Sequence, residues 1–153
     1  MPKQSAGILL YRQIPQLQVF LVHPGGPFFK NKEAGHWSIP KGEFLNDEEP
    51  LTAAKREFFE ETGQQVDGDF IELKRVILKS GKTIHAWAVE GDIAHETIVS
   101  NLFEMQWPPK SGKIQSFPEI DRAGWFTGDE ARVKLNPAQV SFVDELLAIL
   151  SKR

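Results

Sequence analysis

The sequence predicts an α/β fold, a sandwich built on a mixed sheet, and three observations predict it. Apolar strand-like runs stand on both sides of an acid-rich helix, that helix is amphipathic, and a second amphipathic run closes the chain. At 153 residues, with 41% hydrophobic and 25% charged content, there is enough apolar material for one core and no need of a second. Residues 1–153 are therefore read as a single domain.

The first elements are two apolar strands at 4–11 and 17–22, joined by a turn at 13–16 where Pro15 fixes the backbone. Gly25-Gly26-Pro27 then breaks the chain into a loop, and Ile39-Pro40-Lys41-Gly42-Glu43 reads as a strand end passing into another. The acid-rich helix starts near 48–50. Asn46 and Asp47 are cap candidates, Glu48 and Glu49 suit the positive end of the helix dipole, and Pro50 is tolerated only in a first turn. Leu51, Ala54 and Phe58 recur at i, i+3 and i+7 as its buried face, and Gly63 supplies the left-handed residue that stops it. Strands are expected at 70–79 and 83–90, joined at Ser80-Gly81-Lys82. Residues 101–117, rich in Pro, Gly and Trp, form the least regular stretch. Gly124-Trp125-Phe126 reads as a short strand and 129–134 as a short helix. Asn136 as cap and Pro137 as first residue open the last helix, whose stripe of Val140, Val143, Leu146, Leu147 and Leu150 is assigned to core packing. There is no internal repeat and no low-complexity segment.

Chemistry concentrates in the acid-rich helix. Glu57, Glu60 and Glu61 fall within an arc of roughly 100° on one face, where they repel one another unless a cation sits among them. Hard carboxylate oxygens suit Mg²⁺, for which Mn²⁺ can substitute. An acidic face alone is most often a solvated surface. The spacing around this one separates it from that case: Gly42, five residues, Glu48, seven residues, Arg56-Glu57, Phe58, one residue, Glu60-Glu61, one residue, Gly63.

This pattern resembles the Nudix box, G-x5-E-x7-R-E-U-x-E-E-x-G-U with U apolar, over residues 42–64. Only Gln64 departs, standing where the last apolar residue belongs. Beyond the box, Ser5-Ala6-Gly7-Ile8-Leu9-Leu10-Tyr11-Arg12, Trp37-Ser38-Ile39-Pro40-Lys41-Gly42 and Lys82-Thr83 with Trp87 are similar to the asymmetric diadenosine tetraphosphate hydrolases of that superfamily. Ala86 stands where those enzymes commonly carry an aromatic residue.

The resemblance implies a Nudix α/β/α sandwich and divalent-metal-dependent cleavage of a phosphoanhydride in nucleoside diphosphate-linked compounds. Dinucleoside polyphosphates such as diadenosine tetraphosphate come first among these. The alternatives are a housecleaning nucleoside triphosphate pyrophosphatase and a non-catalytic nucleotide-binding module. It also implies metal ligation by Glu57, Glu60, Glu61, Glu119 and the Gly42 carbonyl, and a general base that is either Glu57 or Glu119. Arg56 is expected to orient the box carboxylates, braced by Glu48. Three mutually repelling acids favour turnover over mere binding, because a binding module has no physical reason to keep them.

On the substrate side, Lys41 and Lys82 are candidate phosphate clamps, and His36 is a further phosphate contact. Trp37 and Trp107 stand beside loops where a ring can lie over a nucleobase, while Trp87 and Trp125 lie within strands and are assigned to the core. A formal net charge of −3 without a long Lys/Arg cluster argues against a duplex nucleic-acid partner. No apolar run approaches membrane-spanning length, and the N-terminus lacks a charged region followed by an apolar one. With no cysteine, neither disulfides nor thiol catalysis is available. Cytoplasmic residence, small nucleotide substrates and no obligate protein partner are the expectations that follow.

Overall fold

A computed structural model describes residues 3–13 and 15–152. Among the described residues nine strands run β1 (Gln4–Arg12), β2 (Gln18–Pro24), β3 (Lys41–Phe44), β4 (Ile71–Glu72), β5 (Val76–Ile77), β6 (Thr83–Glu90), β7 (Leu102–Gln106), β8 (Ile114–Pro118) and β9 (Ile120–Thr127). The helices are α1 (Pro50–Thr62), α2 (Gly128–Lys134) and α3 (Val140–Ser151), with single 3₁₀ turns at His95–Thr97 and Pro137–Gln139.

β1 is the axis of the sheet, buried along almost its whole length. On one side it pairs in parallel with β6, from Gln4 opposite Thr83 to Tyr11 opposite Glu90. Its other side forks. Gln4 to Gly7 pair with β3 and Tyr11 and Arg12 pair with β2, both antiparallel. β9 extends the sheet beyond β2, and β4 and β5 pair with the outer edge of β6. The sheet is thus mixed.

Strand alternation feeds two cores. Ala6, Ile8 and Leu10 of β1, with Phe20 and Val22 of β2, pack on Ala53, Ala54 and Phe58 of α1. Leu9 and Tyr11, with Val19 and Leu21, pack on Ala131 of α2 and on Phe142, Val143 and Leu146 of α3. Helices therefore cover both faces, an α/β/α sandwich. Among the described residues no helix is long and apolar enough to cross a membrane.

Several element boundaries differ from expectation, each for a local reason. Of the turn at 13–16, residue 14 lies outside the described residues. Neither Asn46 nor Asp47 caps α1: Glu49 holds that position without a side-chain bond, and Asn46 Oδ1 accepts instead from Gln4 Nε2 at 3.0 Å. Residues 70–79 are two short strands because the Lys74 N–H turns from the ladder to Glu145 Oε1 of α3, at 2.8 Å. Residues 101–117 are mostly regular. β7 and β8 form a separate two-stranded sheet with Phe103 opposite Phe117, and the Pro and Gly residues are confined to its turn. Asn136 does cap, accepting from Ala138 N at 3.0 Å, but it caps one 3₁₀ turn before α3. Gly63 stops α1 as expected, at φ 75° with its N–H on the Phe59 carbonyl at 2.7 Å.

Candidate active site

Helix α1 sits on the sheet so that Glu57 overhangs β3. A Cβ placed on Gly42 would fall 1.9 Å from Glu57 Oε2, so the close approach requires glycine there. Glu57 is only 12% exposed as a result. One turn on, Glu61 Oε1 accepts the Lys41 N–H at 3.2 Å, a second stitch between α1 and β3. Arg56 binds the outer edge of the acids. Its Nη1 donates to Glu57 Oε1 at 2.9 Å and to both Glu60 oxygens at 3.1 Å, while Nε and Nη2 hold Glu48 in a fork at 2.9 and 2.8 Å. Glu48's bonds push the guanidinium's proton affinity up, and Arg56 in turn holds Glu48 below the usual carboxylate range.

Glu119 joins this group through the backbone. Its N–H donates to the Asn101 carbonyl at 2.8 Å, the Asn101 N–H donates to the Glu60 carbonyl at 3.2 Å, and its own carbonyl accepts from Gly25 at 2.8 Å. Three of the acids register the crowding. Burial, with the charges of Glu57 and Glu119 adding to it, pushes Glu61 up to about 8 against the pull of Lys41. Burial raises Glu119 too, and the Glu60 charge adds to it. Glu57 is raised by burial and then by Glu60, although Arg56 opposes both. Lys41 is lowered by burial and by its neighbour Lys82, which itself lies 3.6 Å from Glu43.

Among the described residues no three acids or histidines surround one point as they stand, because Arg56 Nη1 holds Glu57 and Glu60. The donor set nonetheless fits a hard divalent cation. Carboxylates whose proton affinity burial and neighbouring charge raise, as at Glu57, Glu61 and Glu119, are groups that such an ion would stabilise in their ionised form.

The aromatic candidates separate. Trp37 is 4% exposed, wedged edge-on against Phe126 at 4.9 Å and His23 at 5.2 Å in the core facing α2 and α3. It is a core residue and offers no face to a base, which corrects its assignment to substrate. The cause is the extended segment at 37–39, which turns Trp37 and Ile39 inward; the alternation Trp-Ser-Ile was the signal. His36 serves its own loop, bonding the Ala34 carbonyl at 2.9 Å beside Phe29. Trp125 is half-buried between Phe20 and the Arg12 guanidinium, and Trp87 is half-buried beside His85, so neither is a full core residue. Trp107 is half-buried, edge-on to Phe28 at 5.3 Å, and lines a cavity of about 580 Å³ with Lys30 and Gln115. Sequence reasoning missed both of those polar residues, because only the packing of the β7–β8 hairpin on the loop after β2 brings them together.

The NUDIX domain family model matches residues 1–146 of the chain. No curated protein matches it. Among solved structures, the Ap4A hydrolase of C. elegans in a binary complex superposes with a TM-score of 0.67 at 18% identity, covering 97% of this chain and 99% of that one. A mutT/nudix family protein from Listeria innocua gives 0.65 at 17%, covering 99% and 96%. The NUDIX domain of Shewanella oneidensis NrtR, complexed with ADP ribose, gives 0.64 at 17%, covering 98% and 89%. At these identities the likeness is one of fold.

Proposed function

This chain belongs to the NUDIX family, hydrolases of phosphoanhydride bonds that generally use divalent metals, and from that premise we propose that it is a Mg²⁺-dependent pyrophosphohydrolase of dinucleoside polyphosphates such as diadenosine tetraphosphate. The observation that carries the reading is the gathering of Glu57, Glu60, Glu61 and Glu119, with Glu57 against Gly42, where burial and like charge raise three of the four. The substrate class is supported by the resemblance of the segments at 5–12, 37–42 and 82–87 to that branch.

Glu57, Glu60, Glu61 and the Gly42 carbonyl would hold the cation, which when bound offsets phosphate charge and acidifies a water for attack at phosphorus. Glu119 is assigned as the general base. Its carboxylate has no hydrogen-bond or ion-pair partner among the described residues, and its raised proton affinity brings it closer to working pH. Glu57 is the weaker candidate, being already engaged by Arg56 and pressed against Gly42. Arg56 keeps its fork on Glu48 whichever way Glu57 and Glu60 turn, so it can release them without leaving the site. Lys41 and Lys82 supply positive charge for the phosphate chain. Cytoplasmic residence completes the reading.

Turnover of diadenosine tetraphosphate beside nucleoside triphosphates, with Mg²⁺ in ¹⁸O-labelled water, tests it. Release of ATP and AMP with label in one product is expected, falling to background in Glu60→Gln. Unchanged turnover in Glu60→Gln would sink the metal assignment, and a preferred nucleoside triphosphate would sink the substrate.

A further inference from the structure

Among the described residues the β7–β8 hairpin shares no ladder with the central sheet, and its faces differ. Phe103, Met105 and Phe117 are half-buried on the side turned to the loop after β2, while Leu102, Glu104, Ile114 and Ser116 are exposed. The approach is close: at Gly26, φ 96°, a Cβ would fall 2.9 Å from Phe103 Cζ. Between loop and hairpin lies the cavity of about 580 Å³, within the roughly 300–1,000 Å³ that holds small ligands. Its loop wall is held from beneath by buried His23, whose ring nitrogens engage Asp121 Oδ1 at 2.8 Å and the Lys32 carbonyl.

The lining is selective. Trp107 and Phe117 supply aromatic surface, and Phe28 braces Trp107 at an interplanar angle of 81°. Gln115 donates Nε2 to the Trp107 carbonyl at 2.6 Å, which leaves Oε1 as an acceptor. Lys30 in the wall, and Lys110 and Lys113 at the hairpin turn, have no carboxylate partner among the described residues. Pro118 at the end of β8 lines the cavity and Glu119 follows it directly, so the cavity's edge adjoins the acids in the chain.

We propose that this cavity binds a nucleoside phosphate whose base carries an exocyclic amine, with the base on Trp107, the amine donating to Gln115 Oε1 and the phosphate on Lys30. Adenine nucleotides satisfy this, whereas hypoxanthine nucleotides lack the amine, present a carbonyl to Oε1, and would have to turn to the second Nε2 hydrogen of Gln115 instead. The assignment rests on the nucleotide-substrate reading above and makes the hairpin a specificity element of that site.

The test is calorimetric titration of the full chain with ADP and with IDP in EDTA, where no turnover intrudes. ADP is expected to bind roughly tenfold tighter than IDP, and Gln115→Leu to abolish the preference. Trp107→Leu should weaken ADP roughly tenfold, the scale of one base–aromatic stack. Lys30→Ala, a surface change that leaves folding intact, should weaken ADP more than adenosine. Equal binding of ADP and IDP, or wild-type binding by both Trp107→Leu and Lys30→Ala, would overturn the assignment. Hydrolysis of diadenosine tetraphosphate with unchanged KM in those two variants would overturn it while leaving the substrate proposal standing. ADP binding with all the expected dependences, but without turnover of diadenosine tetraphosphate, would support the cavity and remove only that substrate.

Discussion

Glu61 is the residue at which burial, like charge and a single backbone bond are most nearly in competition. Its carboxyl ionises near 4.5 in the unfolded chain and near 8 in the folded one, so between those values the folded state holds the extra proton. The stabilisation from a neutral Glu61 is complete below about 4.5 and is lost as pH rises to about 8. In EDTA the wild type should therefore lose up to about 5 kcal/mol of unfolding free energy across that window. Glu61→Gln should remove most of the dependence in urea titrations at several pH values; an equally steep profile in the variant would show that other groups carry it. The acids themselves were legible because helical spacing is written in the sequence. Trp37 was misassigned because its loop neighbours outweighed the short inward alternation with Ile39, and Lys30 had no local signal at all.

Among the elements, α1 was the most legible and β7–β8 the least. α1 announces itself by an apolar periodicity, a proline in the first turn and a glycine after the last, all local features. The cap did not follow propensity because Gln4 of β1 engages Asn46, a tertiary contact that no local pattern contains. In the hairpin, Pro108, Pro109 and Gly112 masked strands whose outer face is solvated, so apolar alternation survives only in Phe103, Met105 and Phe117. At the helix end, Gly63 combines positive φ with a Cβ position 3.1 Å from Val99. Gly63→Ala should cost about 1–2 kcal/mol through αL strain and that contact. A lower urea midpoint at unchanged m is the expected result, and an unchanged midpoint would mean that the 98–101 segment moves aside freely.

At the scale of the molecule, one strand serves both layers: odd and even positions of β1 feed the two cores, and its fork gives β2 and β3 a common partner. A loss in the core remote from the acids should therefore be felt globally. Phe142→Ala, in α3, should destabilise the whole chain by about 3–5 kcal/mol in denaturant. Divalent-ion affinity of the molecules still folded should stay at wild-type level, because Phe142 packs on the opposite side of the sheet from α1; a parallel loss of affinity would show that the layers are not separable. The sandwich was legible from the order of strands and helices, whereas the fork in β1 was not, since pairing partners are set by register rather than by composition. The hairpin's independence from that register has a consequence for descent. Its tip can lengthen, shorten or change composition without shifting any pair in the central sheet, while the hydrogen bonds at its base keep Glu119 beside Glu60. Relatives can thus diverge in what they select while inheriting the same cutting apparatus, and drift at the tip, residues 107–113, leaves both the central sheet and the Phe103–Gly26 contact in place.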